Sequence, residues 1–394
     1  MSDDFKRKLQ DYKDGKLPEE ERAELELELA KMETYQAYLD ELLENEADRR
    51  DASQSPLTVG DAKMHKREAK LLRKGKWKAR INTVLTLISL LIWITFLSSI
   101  GTSLFYSLGN PGYGNTDRHV VEAAIAVAYP NMDVRLSSDA GPYFNMKVKS
   151  PVTKTVGKEH MEVGDFSASF LFNWMRLYDF SWTDREANGK AMFQYPGSSG
   201  FNSDQAWERL QKLPEGTVAE AFVSYKRFYT TDEILQQFKG KEMNPLWFAV
   251  DSGDASAKWR SFNGGVELNP IGFPANPVWL PEDGIPSNVS EQKTGFLTLE
   301  KHSVTSYPSL DVYGSGDIRD ENFVNTLKVL VKHKFIAKRL IPFVDLKATL
   351  DYVEKNGVKI YGVVVTGPTK EILKLKDDPE VSALQAGKVA LWNW

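Results

Sequence analysis

Cysteine is absent from the 394 residues, which excludes a disulfide framework and any thiolate metal site. Histidine is scarce. The five, His65, His119, His160, His302 and His333, form no HExxH or comparable ligand pattern. His160 stands near Glu159 and Glu162, a thin basis for a metal site. No GxSxG elbow and no P-loop occurs. Gly264-Gly265 and Gly314-Ser315-Gly316 fit no dinucleotide fingerprint, and the second precedes Asp317 and Asp320 as a turn and helix start would. These absences leave no argument for an enzyme, a cofactor or a metal.

Charge is missing from one long stretch. Val84 to Leu104 contains no Asp, Glu, Lys or Arg. At ~1.5 Å rise per residue a helix of that length covers roughly 31 Å, about the thickness of a bilayer's hydrocarbon core. The preceding segment, 63–80, carries nine Lys/Arg against one acid, Glu68. That asymmetry is the positive-inside signal. It predicts a transmembrane helix over 81–106, an uncleaved anchor, with the N-terminus in the cytoplasm and residues 107–394 outside a bacterial cell membrane.

The net charge of −4 conceals a division. Residues 1–62 carry 18 Asp/Glu and nine Lys/Arg, an acidic arm beside a basic collar. The arm calls for a basic partner and the collar for anionic lipid. Within the arm, Phe5, Leu9 and Tyr12 fall at helical spacing up to Gly15. Pro18 followed by Glu19, Glu20 and Glu21 starts a second helix that runs to about Ala47. Its stripe is Leu25, Leu29, Met32, Gln36, Leu39 and Leu43, with Tyr35 and Leu42 beside it. Two such helices make too small a core to stand alone, so the stripe is expected to meet another molecule or a second copy. In the outer half of the span, Ser98, Ser99, Gly101 and Thr102 let another helix approach closely. A second small membrane protein is expected there.

The exterior is large enough for a real core. Thr116 is expected to cap a helix through Val127 that Pro130 ends. Met132–Ser138 and Tyr143–Lys149 alternate as strands do, and Phe166–Trp174 reads as a buried strand or helix. Residues 181–203 and 252–295 read as long loops. Residues 204–250 and 345–394 share the order helix, Gly, strand, helix, strand. Gly216 answers Gly357, the cap Thr231 answers Thr369, and Leu246-Trp247 answers Leu391-Trp392. The fold class is therefore α+β: a short all-α arm, one transmembrane helix, and an α+β exterior with a suspected duplicated αβαβ unit.

Three segments together carry a resemblance: the arm FKRKLQDYKDGKLPEEERAELELELAKMETYQAYLDELL, the junction KGKWKARINTVLTL, and the terminus GVVVTGPTKEILKL followed by ALWNW. In this order they resemble the bacillar sigma-factor regulators, and the arm, lacking His and Cys before the collar, resembles the zinc-free kind of anti-sigma factor. The resemblance implies a membrane-anchored protein that sequesters an extracytoplasmic-function sigma factor through its arm and releases it on an envelope signal, with no direct nucleic-acid contact. The contacts expected under that reading are Phe5, Leu9, Tyr12, Leu25, Leu29, Met32, Tyr35 and Leu39. Release by conformational change and release by proteolysis both stay open. So do two other readings: a membrane-anchored scaffold whose exterior recognises an envelope ligand, and an envelope enzyme.

Overall fold

The computed structural model describes residues 30–35, 37–39, 59–109, 111–183, 190–253, 260, 263–280, 283–293 and 299–394. Contacts divide the chain into two units, Met1–Leu90 and Leu91–Trp394. In the first, residues 30–35 and 37–39 are helical. Helix α1, Val59–Ser107, starts in the first unit and ends in the second. Between Ile81 and Leu104 its apolar side chains are exposed, Leu91 at 63% and Ile92 at 61%. Its hydroxyls are self-satisfied: Thr83, Thr86, Thr95, Ser99 and Thr102 each donate to the carbonyl four residues earlier. Among the described residues, Lys70–Ser107 is the one helix long and apolar enough to cross a membrane.

The second unit continues with α2 (Tyr113–Ala128). Thr116 is not its cap. The helix begins at Tyr113 after Gly112, and the Thr116 hydroxyl donates back to the Gly112 carbonyl. A meander follows: β1 (Asp133–Val134), β2 (Ser137–Gly141), β3 (Asn145–Val156), β4 (Glu159–Leu171) and β5 (Trp174–Trp182). All pairs are antiparallel, in the order β1-β3-β4-β5 with β2 also on β3. From Met146 onward β3 alternates buried and less buried residues, as a sheet packed on one face does.

The stretch 181–203, read as loop, contains the short strand β6 (Phe193–Gln194). Next come α3 (Asp204–Gln211), β7 (Thr217–Tyr229), α4 (Thr231–Phe238) and β8 (Asn244–Val250). The stretch 252–295 likewise holds β9 (Val266–Glu267), β10 (Ile271–Pro274) and β11 (Ile285–Lys293), which pairs with β12 (Leu299–Ser306). Helices α5 (Gly316–Lys332), α6 (Lys334–Leu340) and α7 (Leu346–Asn356) lead to β13 (Ile360–Pro368), α8 (Thr369–Leu373) and β14 (Val381–Leu391).

The second sheet has the order β10-β8-β13-β7-β14, antiparallel throughout. The expected helix-strand-helix-strand order is present in both stretches. Their first strands, β7 and β13, are central neighbours, and each second strand pairs with the other stretch's first strand. Exchanging the two stretches leaves the four-strand order unchanged.

Details of the expected correspondence differ. Val364 pairs with Trp247, and Val223, the equivalent position counted from the glycines, pairs with Leu384. Trp392 lies past the end of β14 and is exposed. Neither threonine is a cap either. Thr230 caps α4 in a capping box with Glu233, and α8 follows Pro368 without a side-chain cap.

Both faces of this sheet are covered, which is why β13 is buried at all nine positions. One face joins a core with Val121 and Ile125 of α2, Val148 and Phe166 of the meander, and Phe323 and Leu327 of α5. The other holds a smaller aromatic cluster, Phe193, Phe222, Trp247 and Tyr361.

Candidate functional site: the exposed arm helix and the helix–hairpin junction

On the arm, the described residues form helix because nothing interrupts the run, and Thr34 bonds the Ala30 carbonyl within it. Met32, Tyr35 and Leu39 are exposed at 45%, 67% and 43%. Tyr38, which the periodic stripe passes over, is also exposed. Four large apolar or aromatic side chains facing solvent on one short helix is more than scattered surface hydrophobicity. Phe5, Leu9, Tyr12, Leu25 and Leu29 lie outside the described residues.

The outer end of α1 meets the meander. Ser98 Oγ accepts from the Tyr143 amide at 2.7 Å, and Thr102 Oγ1 accepts from the Phe144 amide at 2.9 Å. Thr95 Oγ1 and the Tyr143 hydroxyl lie 2.7 Å apart. The Tyr106 hydroxyl donates to the Phe144 and Phe172 carbonyls. Phe105 packs edge-on against Phe144 and Phe172, which stack at 4.6 Å between centroids. Gly101 faces the Phe144 ring, whose tip would lie 3.7 Å from an added Cβ. The face expected to take a second membrane protein is thus used by the chain's own turns at Ser98, Gly101 and Thr102. Ser99 bonds only locally, to Thr95. Sequence reading identified these small residues as a contact face but not the contact, because the turn residues lie some forty positions away.

The β3–β4 hairpin runs from this junction to the second sheet. At its other end the Gly157 amide donates to Thr366 Oγ1 at 2.7 Å, and the Lys158 amide to Asn393 Oδ1 at 3.2 Å. Close to that end, Lys154 of β3 pairs with Glu220 of β7 at 3.2 Å, with both side chains buried. Asn131 Nδ2 and the Lys388 amide also donate to Glu220. The register shift in β14 between Ala386 and Val389 aims that amide inward. Gly387 leaves room for the carboxylate, which would lie 2.3 Å from a Cβ there. His160 bonds Thr155 Oγ1 at 3.1 Å.

Two aspartates are shifted strongly upward. Asp117 of α2 is buried, and neither oxygen meets a hydrogen-bond donor. Desolvation raises its pKa from 3.8 to about 7. Desolvation raises Asp320 of α5 to about 7 as well, against the opposing bond from Thr231. Both shifts are upward, so the folded state holds these protons more tightly than the unfolded chain. Their stabilising contribution is full below pH 3.8 and is lost as pH rises through 7. Asp117→Asn is expected to stabilise the chain above pH 7, with an upper bound on the order of 4 kcal/mol. It should also flatten part of the decline between pH 4 and 7, leaving the Asp320 share. Thermal melts of both chains across that range check this; parallel curves would refute it.

Residues 69–161 match the family described as sigma factor regulator N-terminal, and residues 210–388 match sigma factor regulator C-terminal. A relative from Bacillus subtilis (strain 168), named Probable anti-sigma-M factor YhdL, is 31% identical over 402 residues, covering 100% of both chains. The chain belongs to the sigma factor regulator family of anti-sigma factors. No solved structure matches. The N-terminal match in this regulator starts inside the basic collar and takes in α1 from Ala69 onward, Tyr143 and Phe144 of the junction, and the β3–β4 turn. The C-terminal match takes in β7, β8, β10 and β13 of the second sheet and most of β14. Tyr143, Phe144 and both members of the buried Lys154–Glu220 pair lie within the matched residues.

Proposed function

We propose that the regulator holds an extracytoplasmic-function sigma factor inactive at the cell membrane and releases it on an envelope signal. The observation that carries this reading is the exposed Met32, Tyr35 and Leu39 on an acidic helix in a chain of an anti-sigma family. A sigma factor needs basic surfaces for promoter phosphates and apolar grooves for polymerase. An acidic helix with an apolar stripe competes for both, its carboxylates in place of phosphates and its Leu, Met and Tyr seated in grooves. Phe5, Leu9, Tyr12, Leu25 and Leu29 extend the same surface. Inhibition needs no catalysis, only binding by mass action.

In this reading residues 1–62 are the cytoplasmic arm, 63–80 a collar on anionic lipid of the inner leaflet, 81–106 the span and 107–394 the external sensor. The stretches 204–250 and 345–394 are taken as copies of one αβαβ unit, supported by their common element order and the exchange-symmetric strand order. The β3–β4 hairpin supplies a route for the signal, since it bonds the second sheet at one end and α1 at the other. Movement of the sheet on ligand binding would shift Tyr143 and Phe144 against the helix and bias the arm between holding and releasing. The test is capture. Full-length regulator in detergent, offered a panel of purified sigma factors, is expected to retain one of the extracytoplasmic-function class; retention of none overturns the reading.

A further inference from the structure

The turns that grip α1 carry side chains suited to lipid. Tyr143 is 48% exposed, Phe172 44% and Trp174 69%. They are held at a depth the helix defines. Thr95, which the Tyr143 hydroxyl meets, lies nine residues before Leu104, the outer end of the stretch Val84–Leu104. That places it ~13 Å inside the stretch along the helix axis.

The backbone of these turns is satisfied by protein. The Tyr143 and Phe144 amides go to Ser98 and Thr102, and the Phe172 amide to the Phe144 carbonyl. The Phe144 and Phe172 carbonyls accept from Tyr106, and the Pro142 and Tyr143 carbonyls from Asn145 Nδ2. A turn in water has no need of this, because water bonds its polar groups. Irregular backbone at membrane depth is tolerated only where protein satisfies it. The dihedrals point the same way. Tyr143, Phe144 and Phe172 have φ of 62°, 56° and 52°, a region glycine adopts freely and aromatic residues rarely do. The chain keeps aromatic side chains where a surface turn favours glycine.

We propose that the β2–β3 and β4–β5 turns are seated in the outer leaflet, with Tyr143 reaching among its acyl chains and Phe172 and Trp174, beside the Phe105–Tyr106 end of the helix, among phospholipids at the headgroup–acyl boundary. Aromatic rings with polar tips favour that zone. Its occupant is phospholipid, and the external domain is thereby held against the bilayer around the helix end. This rests on the reading that α1 spans the membrane.

The absence of native cysteine gives a direct test. Single cysteines at Tyr143, Trp174, Phe172 and Lys158 are each labelled with an environment-sensitive fluorophore (NBD) in the full-length chain. The chain is reconstituted into nanodiscs of phosphatidylglycerol and phosphatidylethanolamine. Lys158 is the control, at the opposite end of a twelve-residue strand, ~40 Å away at 3.3 Å per residue. The labels at Tyr143 and Trp174 are expected to show blue-shifted emission, protection from aqueous iodide, and quenching by spin-labelled lipid, Tyr143 by a label on the acyl chain and Trp174 by a shallow one; Lys158 shows the reverse. Phe172 shares the ring stack, so Tyr143 and Trp174 decide if Phe172→Cys fails to fold. Iodide quenching at either deciding site equal to that at Lys158 overturns the proposal. So does protection from iodide without lipid-borne quenching, which would mean a protein cover. A chain that does not enter the discs overturns this proposal and the spanning reading together.

Discussion

Replacing Met32 and Leu39 by aspartate in the same chain is expected to free the sigma factor and raise transcription from its promoters toward the level seen without the regulator. Both side chains are exposed in the chain itself, so the substitutions cost the arm little. In a bound state each would lose roughly 2 kcal/mol of apolar burial and bring an unpaired carboxylate into a desolvated groove. The combined loss exceeds about 4 kcal/mol, a thousandfold in affinity. A promoter reporter with immunoblots for regulator level measures it. Lys31→Ala, on the same helix, is a control expected to change little. Repression unchanged in the double variant at normal protein level would remove this face from the interface.

Glu220→Ala is expected to be the most damaging single change in the second unit. The carboxylate has no exposed surface and receives Lys154, Asn131 and the Lys388 amide. Its removal leaves a buried ammonium at Lys154, which is 4% exposed, and breaking such a pair from one side costs about 3–5 kcal/mol. For a unit of this size that corresponds to a fall in Tm of about 5–8 °C. The double variant Lys154→Met with Glu220→Leu removes both charges and should recover much of the loss. Thermal unfolding of the full chain in detergent reads both. Equal melting of the wild type and Glu220→Ala would show that the pair is not sealed from water.

How much of this was legible follows the range of the interactions involved. The long apolar helix was legible because an uncharged helical run is a local property. Both helix-strand-helix-strand stretches were legible too, since Gly216 and Gly357 separate clear periodicities. The strand exchange was not, because β13 and β8 are buried on both faces and their pattern carries no partner information. The correspondence of Trp247 with Trp392 failed for a related reason: identity at a chain position does not fix register, and Leu384 holds the equivalent place. Thr116, Thr231 and Thr369 look like caps, yet their hydroxyls serve Gly112, Asp320 and Thr217. The loop readings missed β6, β9 and β10 because two- to four-residue strands leave no periodicity, and β11 because its run IPSNVSEQK is mostly polar.

The exchange of strands also sets when the fold can form. During synthesis β7 emerges long before β13 and β14, its two neighbours in the finished sheet. Until the ribosome nears the C-terminus, a thirteen-residue strand with nine consecutive buried positions has neither flank covered. Such high contact order delays closure and leaves sticky edges open meanwhile. The newborn chain is therefore a natural client for chaperones, and a message truncated before Val381 would yield a product whose β7 keeps a bare edge for as long as it exists.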